Sequence, residues 1–413
     1  MPSSSASVPC AARLWVSDTS RCDVLIAGAG PAGLLLGRLL AQAGVAVQVV
    51  DPLQDLRCGA FSSAALPLAA VHHFQLPEQV QAAHWSQWQL FGPAAERRAW
   101  AAPEPLGAVL DFGALRQWLA QRARAAGAAV QLGWSVRSWE PAGSGARARL
   151  RGPAGLERQV QCRWLVDATG QRRALIGDPP LSHGALVSGS GVEWLLQVPP
   201  EAWQPWADRL SFMLGSHWVP QGYGWVFPMA SGQLKLGVCR LQDPRRLQPP
   251  LHQLLRQLQA RLGLEEARVL DRHGGLIRST IRRREPHQRG PLLALGDAVS
   301  TGNLLGGEGI RHAMTSSEVL APLLLEALGD RSEALAAYPR RLRRRLGWRW
   351  SLSGRLARRT WLGLQSAHAD QRLGRLLQGL EAGSSAADLS ALLFDYRFER
   401  YGLRALPYLL GWR

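Results

Sequence analysis

Lysine is nearly missing from this 413-residue chain: Lys235 is the only one, and the rest of its 48 basic residues are arginine. The net charge of +17 would by itself invite a nucleic-acid or membrane reading. Arginine without lysine, alongside abundant Ala, Gly and Pro, instead marks a compositional bias. No zinc-finger, basic-zipper or aromatic RNA-binding signature accompanies the charge, so no nucleic-acid partner is expected. Cysteine is also scarce. There are five, an odd number, and none forms a CxxC pair. That excludes a disulfide framework and a structural zinc site and fits a reduced, cytoplasmic protein with no bound metal. No apolar run reaches the ~20 residues of a membrane span, and the best candidate is interrupted by Arg38. The N-terminus lacks a basic start followed by an apolar stretch, so residues 1–20 read as a flexible extension rather than a signal peptide. No repeat of solenoid or propeller period is present. A hydrophobic content of 46% rules out general disorder, and the length implies two to three domains.

What is there centres on Val24–Asp51. Val24–Ala27 is a short apolar run of the kind that forms a buried parallel strand. It enters Gly28-Ala29-Gly30-Pro31-Ala32-Gly33, followed by an apolar helix over Leu34–Ala43, Gly44 at its C′ position, and a second strand over Val45–Val50 that ends in Asp51. This is the dinucleotide-binding fingerprint in its strand–helix–strand context. Gly28 allows the tight turn, Gly30 lets backbone approach a pyrophosphate, and Gly33 lets helix and strand pack. Free N–H groups at the helix start face the phosphates, and Asp51 is placed to accept from a ribose hydroxyl.

The chain after Asp51 alternates between such units and something different. Residues 52–67 read as a loop at the ligand-binding end of the sheet, with Arg57-Cys58-Gly59 inside it. Residues 71–104 carry Trp85, Trp88 and Trp100 on no clean period and read as a cap. Phe112–Ala126 is an amphipathic helix, Val130–Leu132 a strand, and Ala146–Gly152 with Leu156–Val166 a β-meander. The meander runs into Asp167-Ala168-Thr169-Gly170. From Leu181 to Thr280 the sequence becomes strand-like and rich in Trp and Gly, with one helix at Leu251–Leu262, which suggests a separate antiparallel sheet. Pro291–Leu295 returns to a buried strand, and Arg311–Leu328 is a long helix. Tyr338–Arg413 is helical in pattern and holds fifteen arginines against five acids.

Gly296-Asp297-Ala298-Val299-Ser300-Thr301-Gly302-Asn303-Leu304-Leu305-Gly306-Gly307-Glu308-Gly309-Ile310 resembles the second FAD signature of the geranylgeranyl reductase family, GDAAGLVNPLTGEGI. Gly222-Tyr223-Gly224-Trp225-Val226-Phe227-Pro228 resembles that family's GYxWxFP segment, Cys58-Gly59 its Cys-Gly pair, and Asp167-Ala168-Thr169-Gly170 its DAxG turn. The likeness runs over residues 21 to about 325, in order. It implies an α/β fold: a Rossmann-like FAD domain of the glutathione-reductase or hydroxylase type, an inserted, mainly antiparallel substrate sheet and a helical C-terminal region. The expected division is 21–70, 105–177 and 288–330 for FAD, 71–104 and 178–287 for substrate, and 331–413 for the basic helices.

In that family Asp297 would bond the ribitol, and Gly307, Glu308, Gly309 and Ile310 would lie against the flavin ring. Arg116 would contact FAD phosphates, and Arg57, Cys58 and Gly59 would stand at the flavin's reactive face. Tyr223 and Trp225 would form an aromatic wall beside an isoprenoid cavity. Leu304 and Gly306 replace the usual proline and threonine, which leaves the flavin loop freer. No second GxGxxG follows a strand, as expected if NADPH or another reductant such as ferredoxin meets the flavin transiently. The implied activity is FAD-dependent reduction of isoprenoid double bonds. The alternatives are a hydroxylase, a halogenase, a lycopene-cyclase-like enzyme, or a prenyl-lipid carrier that has kept the fold. Halogenases rely on an early lysine, which is missing here, and a carrier needs neither the glycine set nor Asp297. Residues 340–359 combine tryptophan with arginine in the manner of a peripheral membrane anchor.

Overall fold

The computed structural model describes residues 20–59, 62–180, 186–230, 232–280 and 285–398. Apart from Ser20, the expected N-terminal extension lies outside them.

The Ser20–Ala27 strand sits at the middle of the first sheet, parallel to Val47–Asp51 on one side and Glu157–Asp167 on the other. Ala129–Leu132 continues the sheet beyond the first neighbour, and Leu292–Ala294 beyond the second. Val24, Leu25 and Ile26 have no solvent exposure, because helices and loops cover the strand as a parallel sheet requires. The helix Pro31–Gln42 packs against Phe112–Ala125 and Ile310–Leu328. It begins three residues before the apolar run suggested, because the fixed φ of Pro31 suits a first helical turn. Gly44, at φ +81, ends it, with its N–H on the Ala41 carbonyl at 2.9 Å. The meander is present as Ser135–Ala142, Gly145–Arg151 and the outer part of Glu157–Asp167.

The second sheet has seven strands in the order Arg268–Thr280, Leu186–Gln197, Gln233–Leu241, Gly222–Pro228, Arg209–Leu214, Gln87–Phe91 and Arg97–Ala101. All neighbours are antiparallel except Arg209–Leu214 with Gln87–Phe91. Residues 71–104 therefore give this sheet its outer two strands, with Trp88 directly opposite Trp100. Helix Leu251–Arg261 covers one face through Leu254, Leu255 and Leu258. A Cβ on Gly224 would stand 2.7 Å from Leu258 Cδ2, so any larger residue here would have to push that leucine aside. The other face turns Tyr223, Trp225 and Phe227 toward the helices Ala367–Gly383 and Ala386–Leu393. A three-stranded sheet, Ala65–Pro67, Gly107–Leu110 and Gln81–Trp85, runs between these parts, so the expected 52–67 loop ends in a strand.

Arg340–Arg359 falls within a helix spanning Tyr338–Gly363 that is kinked at Gly347, φ +83. The kink divides the expected anchor in two. Leu342 and Trp350 are buried in cores, while Trp348 is 64% exposed with the Arg349 guanidinium 5.4 Å over its ring.

Candidate functional site

At the fingerprint turn the three glycines have three different reasons. Gly28 has φ +118, and a Cβ there would lie 2.2 Å from the Ala168 carbonyl oxygen. A Cβ on Gly33 would lie 2.0 Å from the Gly28 carbonyl oxygen. Gly30 has nothing within 4 Å and ordinary extended backbone, φ −78. Its missing side chain leaves open space that the fold itself does not fill, at a helix start with no side-chain cap. Asp51 accepts from the Ala29 N–H at 2.8 Å and the Leu53 N–H at 2.9 Å, which fixes its carboxylate against that turn. Arg116 is 7% exposed, donates Nη2 to the Cys58 carbonyl at 2.8 Å, and has a buried Nε with no partner among the described residues. Burial pushes its pKa down and Asp51 partly offsets this. An open glycine, uncapped helix N–H groups and a buried arginine short of an acceptor fit the diphosphate half of FAD.

Asp167 spends its acceptors on its own turn, from Thr169 Oγ1 at 2.6 Å and the backbone N–H groups of Thr169, Leu175 and Ile176 at 2.8–3.0 Å. It shapes the turn whose Ala168 abuts Gly28, and Gly170 leaves that turn at φ +68. Asp297 sits in the tight turn Gly296–Val299, flanked by Gly296 and Ser300 at φ +62 and +60. Burial raises its carboxyl pKa, which the hydrogen bond from Thr301 Oγ1 (2.8 Å) and the charge of Arg173 oppose. Arg173 is itself buried and donates to the Ala298 carbonyl at 2.7 Å and Ser300 Oγ at 2.8 Å, so it pins this segment from beneath.

The loop that follows closes on itself, with the Asn303 N–H on the Glu308 carbonyl at 2.7 Å and Gly307 at φ +66. Leu304 fills a small cluster with Leu241 and Ala357, whereas Gly306 faces open space. The Glu308 carboxylate accepts from Arg311 and from the Tyr396 hydroxyl at 3.0 Å, with His312 at 3.5 Å. Burial acts to raise its pKa, but Arg311 and His312 win and hold it at about 2. Arg311 also donates to the Phe394 carbonyl.

A cavity of about 690 Å³ opens beside these residues. Pro31, Asp297 and Gly307–Ile310 line it, together with Tyr223, Trp225, Phe227 and Phe212. Leu373, Leu377, Leu380, Leu389 and Leu393 from the C-terminal helices line it as well. A Cβ on Gly307 would stand 2.9 Å from the Tyr223 hydroxyl, which puts that hydroxyl at the flavin motif. The aromatics interlock, Phe212 with Tyr223 at 5.7 Å, Phe212 with Phe227 at 5.3 Å and Tyr223 with Trp361 at 5.0 Å between centroids. Trp225 Nε1 donates to the buried Glu193 at 2.9 Å.

The structure thus gathers Pro31, Tyr223, Trp225, Asp297, Gly307, Glu308, Gly309 and Ile310 around one space. Ala32 lies just below, its carbonyl accepting from Ser317 Oγ at 2.8 Å. Cys58 is exposed and outside the lining, as are Arg57 and Gly59. Lys235 does not reach the cavity either. Its ammonium is buried and donates to the carbonyls of Ser62, Ser63 and Leu110 at 2.9–3.2 Å, which ties the second sheet to the segment after the Cys-Gly pair. Sequence reasoning missed Arg173, His312, Tyr396 and Cys239. It also missed the lining role of the C-terminal helices, although Ala369, Leu373, Leu377 and Leu380 stand at helical spacing.

The chain matches the FAD binding domain family over residues 21–57 and 107–350. It is 26% identical over 329 residues to digeranylgeranylglycerophospholipid reductase of Haloferax volcanii, covering 75% of this chain and 77% of that one. It is 26% identical over 363 residues to menaquinone reductase of Mycolicibacterium smegmatis, covering 82% and 84%. A crystal structure of a geranylgeranyl bacteriochlorophyll reductase-like protein from Thermoplasma acidophilum superposes with a TM-score of 0.76 at 19% identity, covering 94% of this chain and all of that one. A flavin-dependent brominase shares the fold more distantly, with a TM-score of 0.63 at 18% identity and coverage of 93% and 100%. The fingerprint turn, the second flavin motif and these matches agree: the chain belongs to the FAD binding domain family and is an FAD-dependent oxidoreductase similar to the geranylgeranyl reductases.

Proposed function

We propose that this enzyme reduces carbon–carbon double bonds in the prenyl chain of a lipid or quinone. One observation carries the reading. One apolar, aromatic-walled cavity is lined both by the motif residues Asp297 and Gly307–Ile310 and by leucines of the C-terminal helices. Digeranylgeranyl lipids and menaquinones, the compounds named for the relatives, differ at their polar ends and share a prenyl chain. A greasy slot leading to the flavin suits that shared part.

FAD, when bound and reduced, supplies hydride at its N5. The residues of this chain supply position, dryness and a proton. Gly28, Gly30 and Gly33, with Pro31, Ala32, Asp51 and Arg116, take the ADP half, beside the turn of Asp167, Ala168 and Gly170. Asp297 takes the ribitol, and Gly307–Ile310 present backbone N–H groups to the flavin. Trp225 and Tyr223 hold the alkene flat, and the Tyr223 hydroxyl faces it as proton donor. Residues 21–70, 105–177 and 288–330 hold the cofactor, and 71–104 with 178–287 the substrate. The reductant is NADPH or a ferredoxin-type protein that visits transiently. The arginines of 340–359, with Trp348, meet an anionic membrane surface from which the substrate is drawn. Among the described residues no helix is long and apolar enough to cross a membrane.

Anaerobic photoreduction followed by mixing with prenyl diphosphates, digeranylgeranyl lipids, menaquinones and carotenoids tests the reading. Flavin reoxidation with a product heavier by two hydrogens per reduced bond is expected from a prenyl compound. Reoxidation only by oxygen, with hydroxylated product, would replace the reading with a monooxygenase.

A further inference from the structure

The indole of Trp225 does not stay over its own strand. Trp225 lies opposite Gly237 on the neighbouring strand, and Gly237 lies opposite Glu193 on the strand beyond. A Cβ on Gly237 would stand 2.1 Å from Trp225 Cζ2 and 2.3 Å from Cε2, so the ring covers the space where a side chain would be. From there its Nε1 reaches Glu193 Oε2 at 2.9 Å. Trp225 lines the cavity, whereas Glu193 lies behind it and is 1% exposed. Burial raises the Glu193 pKa, against the Lys235 charge and the indole hydrogen bond. A carboxylate is costly to place there. The fold does not demand one for the sake of a buried indole. In the same aromatic cluster the Nε1 atoms of Trp85 and Trp100 are buried with no hydrogen-bond partner among the described residues.

We propose that Glu193 and Gly237 are positioning residues that act through Trp225, holding its ring down against the sheet and so setting the depth of the cavity over the aromatic wall. This deepens the reduction proposed above and rests on it. Gly237 leaves the room that the ring occupies, and Glu193 fixes the ring's polar edge with a charge-assisted hydrogen bond, which is directional where apolar contact is not. Neighbouring rings do not supply that restraint. Tyr223 and Phe227 stand 6.0 and 6.4 Å from Trp225 between centroids and are tilted rather than stacked. An indole without its carboxylate would turn about its side-chain bonds into the open space beside it. The depth matters for the substrate class. A prenyl chain carries a methyl branch on every fourth carbon and is thicker there than a straight chain. A ring pressed on the sheet admits the branch, and a ring lifted from it does not.

The test uses FAD-loaded protein, with geranylgeranyl diphosphate and a digeranylgeranyl phospholipid as probes. Gly237→Ala should weaken probe binding about tenfold, the scale of one methyl forced into a packed site, with FAD occupancy unchanged. In a Trp225→Phe background the same substitution should cost nothing further, because the smaller ring leaves the methyl room. A loss that persists in that background overturns the proposal. Glu193→Leu should slow single-turnover reoxidation of the reduced flavin by the probes about tenfold, the scale of one lost hydrogen bond. Glu193→Gln keeps an acceptor and should restore most of the rate. An unchanged rate in Glu193→Leu, or equal losses in the Leu and Gln variants, also overturns it. Magnetic resonance of protein carrying nitrogen-labelled tryptophan reads the pair without turnover, and decides it even where Gly237→Ala does not fold. The Trp225 Nε1–H signal, assigned by its loss in Trp225→Phe, should move upfield in Glu193→Leu and much less in Glu193→Gln. A signal unmoved in Glu193→Leu refutes the positioning role. If no prenyl compound reoxidises the wild type, the reduction reading fails, while the same signal still decides whether Glu193 holds the ring.

Discussion

Two substitutions two residues apart separate what the fingerprint turn does for the fold from what it does for the cofactor. Gly30→Val places a side chain where nothing stands within 4 Å, on backbone at φ −78 that valine adopts freely. The flavin-free protein should lose at most about 1 kcal/mol, the scale of exchanging glycine for an aliphatic residue at a helix N-cap. The same side chain fills the space assigned to the pyrophosphate, so FAD affinity should fall a hundredfold or more. Gly28→Ala is the opposite case. Its methyl would stand 2.2 Å from the Ala168 carbonyl oxygen at φ +118, so the fold itself must shift. The left-handed backbone costs roughly 1–2 kcal/mol and the overlap about 1–3 kcal/mol more, before any ligand is considered. Thermal melts of stripped protein, paired with absorbance titrations of FAD, read both quantities. Gly30→Val with wild-type FAD affinity would show that the dinucleotide does not cross this turn. A stripped Gly28→Ala that melts with wild type would refute the packing argument.

Asp297→Ala should weaken FAD by about 1–3 kcal/mol, the cost of leaving a ribitol hydroxyl unpaired, with substrate affinity little changed; an unaltered FAD dissociation constant removes Asp297 from the ribitol. Glu308 has a folded pKa depressed from 4.5 to about 2, so its contribution is complete above pH 4.5 and is lost as pH falls toward 2. The shift corresponds to at most about 3 kcal/mol; Glu308→Gln should flatten stability over that window in acid denaturation, and a curve parallel to wild type there would contradict the assigned network. Co-sedimentation with vesicles should require anionic lipid and weaken with salt, through the arginines of 340–359; protein that stays in the supernatant with anionic vesicles at low salt argues against the surface.

The cofactor half was legible because its determinants are local. Gly28, Gly33 and Gly44 each answer to a backbone angle or a contact within one strand–helix–strand unit, and Asp297 sits in a turn whose motif is contiguous. The cavity was legible only where a strand carries it: Tyr223, Trp225 and Phe227 alternate on Gly222–Pro228, and a period of two puts them on one face. Trp85, Trp88 and Trp100 showed no period because they belong to three different short strands. The cross-strand neighbour of Tyr223 was invisible for another reason. Cys239 lies opposite it only through the register of two strands, and nothing in the spacing of positions 223 and 239 reveals that pairing. The anchor expected over 340–359 shows the limit of composition. Leu342, Trp350 and Trp348 are similar on paper, yet the kink at Gly347 and tertiary packing send the first two inside and leave the third in solvent.

That division matters for specificity. The family match ends at residue 350, whereas a group of leucines lining the cavity lies between Leu356 and Leu393. The matched range therefore contributes the aromatic wall and the glycine-rich loop to the cavity, and the helices beyond it contribute leucines. The two are not independent. Arg311 reaches from the flavin-motif helix to the Phe394 carbonyl, and Glu308 in the motif itself accepts from the Tyr396 hydroxyl. Phe394 and Phe398, on either side of that contact, are cavity wall. Glu308 and Arg311 thus join the glycine-rich loop directly to the wall residues near Phe394 through side chains rather than through the sheet.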